Sequence, residues 1–438
     1  MPSRDPTPDF DRVSSPWARK IDHPVRNLGH ADAQFCLRTN RAGDDIDRRE
    51  QCCSFVADRG VSEWLLHRLW ADQEGKPRGD VFYLANFCTP VPRHENQSPI
   101  WVGRGYGAIY VPADGESVLV VDLPDFRADI VALDDVRFGL DVPGTAARVI
   151  SERGAERGRI ALAGGEVISW ESQQLLQSAL PHAEFVPADD VVEDLRMIKS
   201  EAELTAMRRA AEVGDALVAA TLEAALRPGT TEAQAVAVGH AAAIERGAAI
   251  WDSAVASGPY SHYYACKSLP SWSQRPLEAG DMFHIDTYGA VDGYLYDLTR
   301  SCVCGGHATD EQREVLEGAI GCVETMTAIV KPGLPASALF RAGQEYLADN
   351  GLLGEGGEEG QVTVALAESM PAHGHGIGVT NERPWLRAEE HMSLRENMTI
   401  AIETMAGRAD IGAAGFEQDV IVTADGCEIL NRCPAIWW

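Results

Sequence analysis

No run of about 18 apolar residues occurs anywhere in the 438-residue sequence. The amino terminus, Met1-Pro2-Ser3-Arg4-Asp5-Pro6, is polar and lacks the apolar core of a signal peptide. Neither a membrane span nor secretion is therefore expected. Positive charge is scarce: 38 Lys and Arg stand against 66 Asp and Glu, a formal net charge of −28. Such a balance argues against nucleic acid or an anionic membrane surface as a partner. The ten cysteines, at 36, 52, 53, 88, 266, 302, 304, 322, 427 and 433, form no spaced framework. A chain this long needs no disulfide staples, so a reducing cytoplasm is expected. Cys302-Val303-Cys304 and Cys52-Cys53 lack zinc-finger spacing and read as small apolar fillers.

The chain exceeds the roughly 250 to 300 residues that one core supports, and its 45% hydrophobic content is enough for two. Residues 1–45, rich in Pro, Asp and Arg, read as an irregular arm. From 46 to 192, strand-like runs (Val81-Phe82-Tyr83-Leu84-Ala85, Gly107 to Val111, Val118 to Val121, Arg159 to Ala163) alternate with helical stretches such as Ser172 to Leu180. That alternation predicts an α/β domain with a mixed sheet and no catalytic constellation of its own. At Ser200 and Glu203 the spacing of a capping box opens a long Ala-rich helix to about Leu226, the first element of a second domain over 193–438. Within it, a helix ending in Arg227-Pro228-Gly229 and a new start at Thr231 are echoed by Lys331-Pro332-Gly333 before Pro335. The offset of 104 residues suggests two related halves about a pseudo-twofold axis.

Carboxylates stand where this second domain should carry only Val and Ile. Phe283-His284-Ile285-Asp286-Thr287-Tyr288 and Tyr294-Leu295-Tyr296-Asp297-Leu298-Thr299 read as two strands joined by a turn at Val291-Asp292-Gly293. Alternation puts Asp286 with His284 and Tyr288, and Asp297 with Leu295 and Thr299, so a hairpin can bring the two acids together. Two such charges in a half-buried site need a proton or a cation between them. Further on, a Gly-rich loop, Pro371-Ala372-His373-Gly374-His375-Gly376-Ile377-Gly378, carries two histidines, His375 as a ligand and His373 behind it or against substrate. Glu403 interrupts the apolar strand Thr399 to Met405, and Glu417 stands at the start of a strand running to Thr423. Asp286, Asp297, His375, Glu403 and Glu417 suffice for two divalent ions about 3.5 Å apart. An oxygen-rich set with one imidazole favours Mn, Fe or Co, with Zn as a further candidate.

This ordered set, with Gly-His-Gly-Ile-Gly around His375 and Asp419-Val420-Ile421-Val422-Thr423 after Glu417, resembles the creatinase, aminopeptidase P and prolidase (M24-type) superfamily. The resemblance implies a pita-bread catalytic domain behind an α/β amino-terminal domain, and a metal-dependent hydrolase of small peptide-like, amide or amidine substrates. Glu403 would shuttle a proton, and His262, in Ser257-Gly258-Pro259-Tyr260-Ser261-His262-Tyr263-Tyr264, resembles the family's substrate-facing histidine. Tyr263, Tyr264, Tyr288 and Trp385 are candidate pocket walls, and His284 is a candidate outer ligand. Peptidases of the family usually carry a histidine seven residues after the metal histidine. Here that position is Glu382, a candidate acid/base or a handle for a cationic substrate group. Dimethylsulfoniopropionate lyases of the family share a Glu-x-Pro segment here, which makes a lyase the second expectation. They carry acids where this chain has Tyr288 and Asn381. A non-catalytic binding module is the third, disfavoured because all five ligand types are kept. A homodimer is expected.

Overall fold

The computed structural model describes residues 63–68, 79–87, 107–112, 115–122, 124, 126–165, 168–262, 270–353, 372–408 and 410–438. The expected amino-terminal arm, Cys36, Cys52, Cys53, Cys88, Cys266, Tyr263 and Tyr264 lie outside them.

Six strands form the first sheet: β1 (Glu63–Arg68), β2 (Gly107–Pro112), β3 (Val118–Val121), β4 (Asp135–Phe138), β5 (Arg159–Ala163) and β6 (Glu184–Pro187). Their order is β4-β3-β2-β1-β5-β6, with β1–β2 and β2–β3 antiparallel and the other pairs parallel. The mixed sheet expected from the alternating runs is thus present. Helices α1 (Asp80–Ala85) and α4 (Asp189–Met197) cover one face through Val81, Leu84, Val191 and Val192. Helices α2 (Val142–Glu152) and α3 (Trp170–Ala179) cover the other through Ala146, Ile150 and Leu176.

One expected strand is a helix. Val81–Ala85 forms α1, with Asp80 in its first turn and Asn86 closing it in the left-handed region (φ 49), its N–H donating to the Phe82 carbonyl. Five apolar residues fit either period, so packing against the sheet decides.

The second body has two halves of similar plan. The first contains α5 (Glu201–Ala225), α6 (Glu232–Ile244) and the antiparallel sheet β7 (Ala249–Ser257), β8 (Met282–Val291), β9 (Tyr294–Val303). The second contains α7 (Asp310–Ala328), α8 (Ala336–Asp349), and a sheet in the order β11-β10-β12-β13-β14. Its strands are β10 (Gly374–Ile377), β11 (Asn381–Trp385), β12 (Thr399–Arg408), β13 (Gly412–Val422) and β14 (Cys427–Ile429). Both Pro-Gly turns do the same work. Gly229 (φ 88) donates to the Leu277 carbonyl and Gly333 (φ 85) to that of Leu394, both at 2.8 Å. Only glycine adopts that backbone cheaply. Isolated bridges Thr231 with Pro276 and Pro335 with Ser393 repeat the same closure.

Capping boxes at Ser200–Glu203, Thr231–Gln234 and Thr309–Gln312 satisfy the first amides of α5, α6 and α7. Buried Leu204, Met207, Ala211, Leu217 and Val218 give α5 its apolar stripe at helical spacing. The β8–β9 turn falls at Asp292 (φ 53) and Gly293 (φ 86) as the sequence predicts. Helix α4 runs through the expected boundary at 192/193, its Val191 and Val192 on the first sheet and Met197 in the core of the second half.

Candidate metal centre

Where β9 packs against β13, the two sheets of the second body meet. Ser301 Oγ donates to the Gly415 carbonyl and accepts from the Gly415 N–H, both at 2.9 Å. The register sets Asp286 opposite Thr299, Tyr288 opposite Asp297, and Glu403 opposite Glu417. Each hairpin therefore turns acids towards the space between the sheets. Glu417 lies in the middle of β13 rather than at its start, because the strand begins five residues earlier in Gly412-Ala413-Ala414-Gly415, small residues without a strand signal.

His375 comes in from β10. A Cβ on Gly374 would lie 2.0 Å from the Ala401 carbonyl oxygen, and one on Gly376 would lie 2.4 Å from that of Arg383. The glycines thus let this short strand press between β11 and β12. The Nδ1 of His375 lies 3.0 Å from the Gly376 carbonyl. An N–H donated there leaves the Nε2 lone pair for a metal, and Nε2 is 3.7 Å from Asp297 Oδ2. One donor atom each from Asp297, His375 and Glu417 lie within 4.8 Å of one another, all three side chains buried.

Asp286 and Glu403 complete the acidic wall. Burial first, and then the Asp286 charge, push the half-buried Glu403 carboxyl up to about 8. Burial likewise holds Glu417 well above the usual range, reinforced by Asp297, Glu403, Asp286 and Asp419 in turn. Carboxylates that raise one another this way are crowded out of water, and a divalent ion would offset their repulsion. The donor set, four carboxylates and an imidazole, fits hard or borderline divalent ions.

Residues not singled out in the sequence support this wall. Thr299 Oγ1 donates to Glu417 Oε2 at 3.0 Å, and Asp419 Oδ2 accepts the Asp297 N–H at 3.3 Å. Arg300, fully buried over the Phe416 ring, donates to the carbonyls of Thr299, Glu417 and Cys433. Asp419 carries the same signal that identified Glu417, a carboxylate in an apolar strand. Arg300 had no such signal, because an arginine in a strand gives no hint of which carbonyls it reaches.

Two expected substrate contacts are corrected by the structure. Both oxygens of Glu382 are committed internally, Oε1 to Lys199 Nζ and Oε2 to Arg196 Nη2 at 3.1 Å. Arg196 Nη1 continues the chain to Asp80 at 2.7 Å, and all four side chains are buried. Glu382 is therefore neither a free acid/base nor a handle for a cationic substrate, but the anchor of β11 to α1 and α4. His373, too, is enclosed: its ring lies 3.0 Å from Gln344 Nε2 and 3.2 Å from the Glu403 carbonyl, and it packs on Phe340. Burial lowers its pKa to about 4, so a neutral ring supports the Glu403 backbone rather than substrate.

His284, the candidate outer ligand, is fully buried, whereas three other candidates keep open faces. Trp385 lies against the His375 ring, 5.3 Å between centroids, and is 40% exposed. Tyr288 is half-buried across from Asp297. His262 lines a cavity of about 380 Å³ with Gly258, Met282, Gln312 and Asp410, and burial lowers its pKa. Among the described residues Cys302, Cys304, Cys322, Cys427 and Cys433 are free thiols, most of them buried as fillers. No helix among those residues is long and apolar enough to cross a membrane.

Residues 205–424 match the model of metallopeptidase family M24, and residues 65–198 that of the creatinase/prolidase N-terminal domain. The chain is 29% identical over 254 residues to an Xaa-Pro dipeptidase of Pyrococcus horikoshii, covering 57% of this chain and 66% of that protein. It is 31% identical over 257 residues to a probable dipeptidase PepE of Mycobacterium bovis, covering 57% and 62%. In fold it is similar to the solved Xaa-Pro dipeptidase from Bacillus anthracis, with a TM-score of 0.71, 22% identity, and 89% and 98% of the two chains covered. The prolidase from Pyrococcus horikoshii superposes with a TM-score of 0.70 at 21% identity, over 89% and 99%. The expected α/β amino-terminal domain followed by a pita-bread domain is the fold these neighbours share.

Proposed function

The chain belongs to metallopeptidase family M24, and on that premise we propose that it hydrolyses the C–N bond of a small peptide-like substrate, with Xaa-Pro dipeptides foremost. The observation that carries this reading is the convergence of Asp297, His375 and Glu417 from three strands onto a space that Asp286 and Glu403 also charge. The names of the two Xaa-Pro dipeptidases support the choice of substrate.

Asp286, Asp297, His375, Glu403 and Glu417 together would hold two divalent ions, Mn, Fe or Co ahead of Zn. Ions held there would lower the pKa of a water towards neutrality and polarise the scissile carbonyl. The chain's own groups do the rest. Glu403 accepts a proton at its carboxylate and returns it to the leaving nitrogen. His262 donates a ring N–H to the carbonyl oxygen as charge builds there. Trp385 offers an exposed ring against which a pyrrolidine packs. Glu382 fixes β11, and through it Trp385, to the amino-terminal domain.

The experiment is a screen of purified, Mn-loaded protein against Xaa-Pro dipeptides, creatine-like amidines and sulfonium acids, with elemental analysis alongside. Proline release that disappears together with the metal in Asp297→Ala supports the reading. Acrylate or dimethyl sulfide release without amine release replaces it with the lyase. An active, metal-free Asp297→Ala enzyme sinks the mechanism.

A further inference from the structure

Nδ1 of His262 is buried without a hydrogen-bond partner among the described residues, so no side chain there steers the ring. Its direction is left to the backbone of the turn that carries it, Gly258–Tyr260 and Ser261. That turn is tied at both ends. Ser257, buried at the end of β7, donates from Oγ to Glu232 Oε1 at 2.6 Å and accepts there from Arg275 Nη1 at 3.3 Å. Ser261, also buried, accepts the Ala413 N–H of β13 on its Oγ at 3.3 Å.

Three charged side chains hold the first of these ends. Glu232, 1% exposed at the start of α6, also accepts the Ser273 N–H at 2.7 Å. Arg275 Nη1 donates to Asp281 Oδ2 at 2.7 Å, and the same oxygen accepts the Glu278 N–H at 2.7 Å. The backbone pins Arg275 in turn, because Thr231 bridges Pro276 and Leu277 donates its N–H to the Thr230 carbonyl at 2.8 Å. Gly258, in the left-handed region at φ 52, lies against this ion pair. A Cβ there would fall 2.6 Å from Asp281 Oδ1 and 2.8 Å from Arg275 Nη2. Gly258, Asp281 and His262 are all walls of the same cavity of about 380 Å³. The pair therefore grips the chain where it turns, four positions before the histidine.

We propose that Arg275, Asp281 and Glu232 are positioning residues for His262, gripping the turn at Ser257 and Gly258 so that the ring reaches the scissile carbonyl. The inference rests on the hydrolase reading above, which gives His262 its work. A donor has to lie within about 3 Å of the oxygen it stabilises, and a displacement of about 1 Å can cost on the order of 100-fold in rate. The turn itself closes with one backbone hydrogen bond, from the Ser261 N–H to the Gly258 carbonyl, too little to hold a side chain that closely. Arg275 reaches both Ser257 and Asp281 from one nitrogen, so its removal loosens the turn most.

The test uses the Mn-loaded full chain and its Arg275→Met variant, which keeps the stem and removes both hydrogen bonds, with Asp281→Asn in its place should the first fail to fold. Steady-state kinetics on Leu-Pro, elemental analysis, and hydrogen exchange over 257–262 by mass spectrometry are measured on each. In Arg275→Met, kcat is expected to fall about tenfold with KM and metal content unchanged, and Arg275→Lys to recover part of the loss. The double variant with His262→Gln should be no slower than His262→Gln alone, because both changes act on one ring. Amides of 257–262 should exchange at least about tenfold faster in Arg275→Met, with those of β9 unaltered. A wild-type kcat in Arg275→Met or in His262→Gln, losses that multiply in the double variant, unaltered exchange, or loss of metal each overturns the proposal. Faster exchange in a protein that cleaves no dipeptide would leave the grip on the turn standing and remove the hydrolase reading alone.

Discussion

Replacing Glu403 by Gln in the metal-free protein should stabilise it, and by an amount that depends on pH. In the fold, burial and Asp286 hold this carboxyl at about 8, against an ordinary value of 4.5. A raised carboxyl binds its proton more tightly folded than unfolded, so stability is unaffected below about 4.5 and falls as pH rises towards 8. At about 1.4 kcal/mol per pH unit the full penalty is roughly 5 kcal/mol, and partial solvent access to Glu403 reduces it to about 2 to 4. Glu403→Gln removes the penalty while keeping the shape. Urea denaturation of chelated wild type and variant at pH 5 and pH 8 is the assay. The variant's advantage should be small at pH 5 and several kcal/mol at pH 8, and should vanish or reverse when Mn is added, because the ion needs the charge that Gln lacks. Taking the difference between variant and wild type cancels the titrating groups that do not interact with Glu403, and the relief of Asp286 and Glu417 adds to the variant's advantage in the same direction. An advantage that is the same at both pH values would refute the claim that these acids are crowded together for a cation.

Three further outcomes follow from the same geometry. Glu382→Gln leaves the buried Arg196 and Lys199 short of a countercharge, so it should cost about 3 to 5 kcal/mol in urea denaturation with metal content retained; a fully stable but inactive variant would restore Glu382 as an acid/base. Gly374→Ala drives a Cβ to 2.0 Å from the Ala401 carbonyl at a backbone φ of 127, so His375 should be displaced and metal affinity should fall at least tenfold by calorimetry. His373→Phe removes the ring nitrogen beside the Glu403 carbonyl, and kcat should fall about tenfold with KM little changed, since the ring supports Glu403 and not substrate.

The candidate centre was legible in the sequence because its signal is local. A strand of Val, Ile and Phe cannot bury a lone carboxylate without a partner, so Asp286, Asp297, Glu403 and Glu417 each announced themselves, and glycines about His375 marked a close approach. The Pro-Gly echo was readable for the same reason: a left-handed turn after a helix has few sequence solutions. Val81–Ala85 was not, because five apolar residues carry no period that separates helix from strand.

Sequence alone determined which side chains would be intolerable in a core without a proton or a cation beside them. Only the tertiary structure decided which neighbours those side chains acquire. It turned Glu382 away to Arg196 and Lys199, enclosed His373 behind Glu403, and set Arg300 beneath Glu417. The cost of burying a charge is a property of one residue, whereas its neutralisation depends on groups more than a hundred positions away that only the fold brings within a few ångströms.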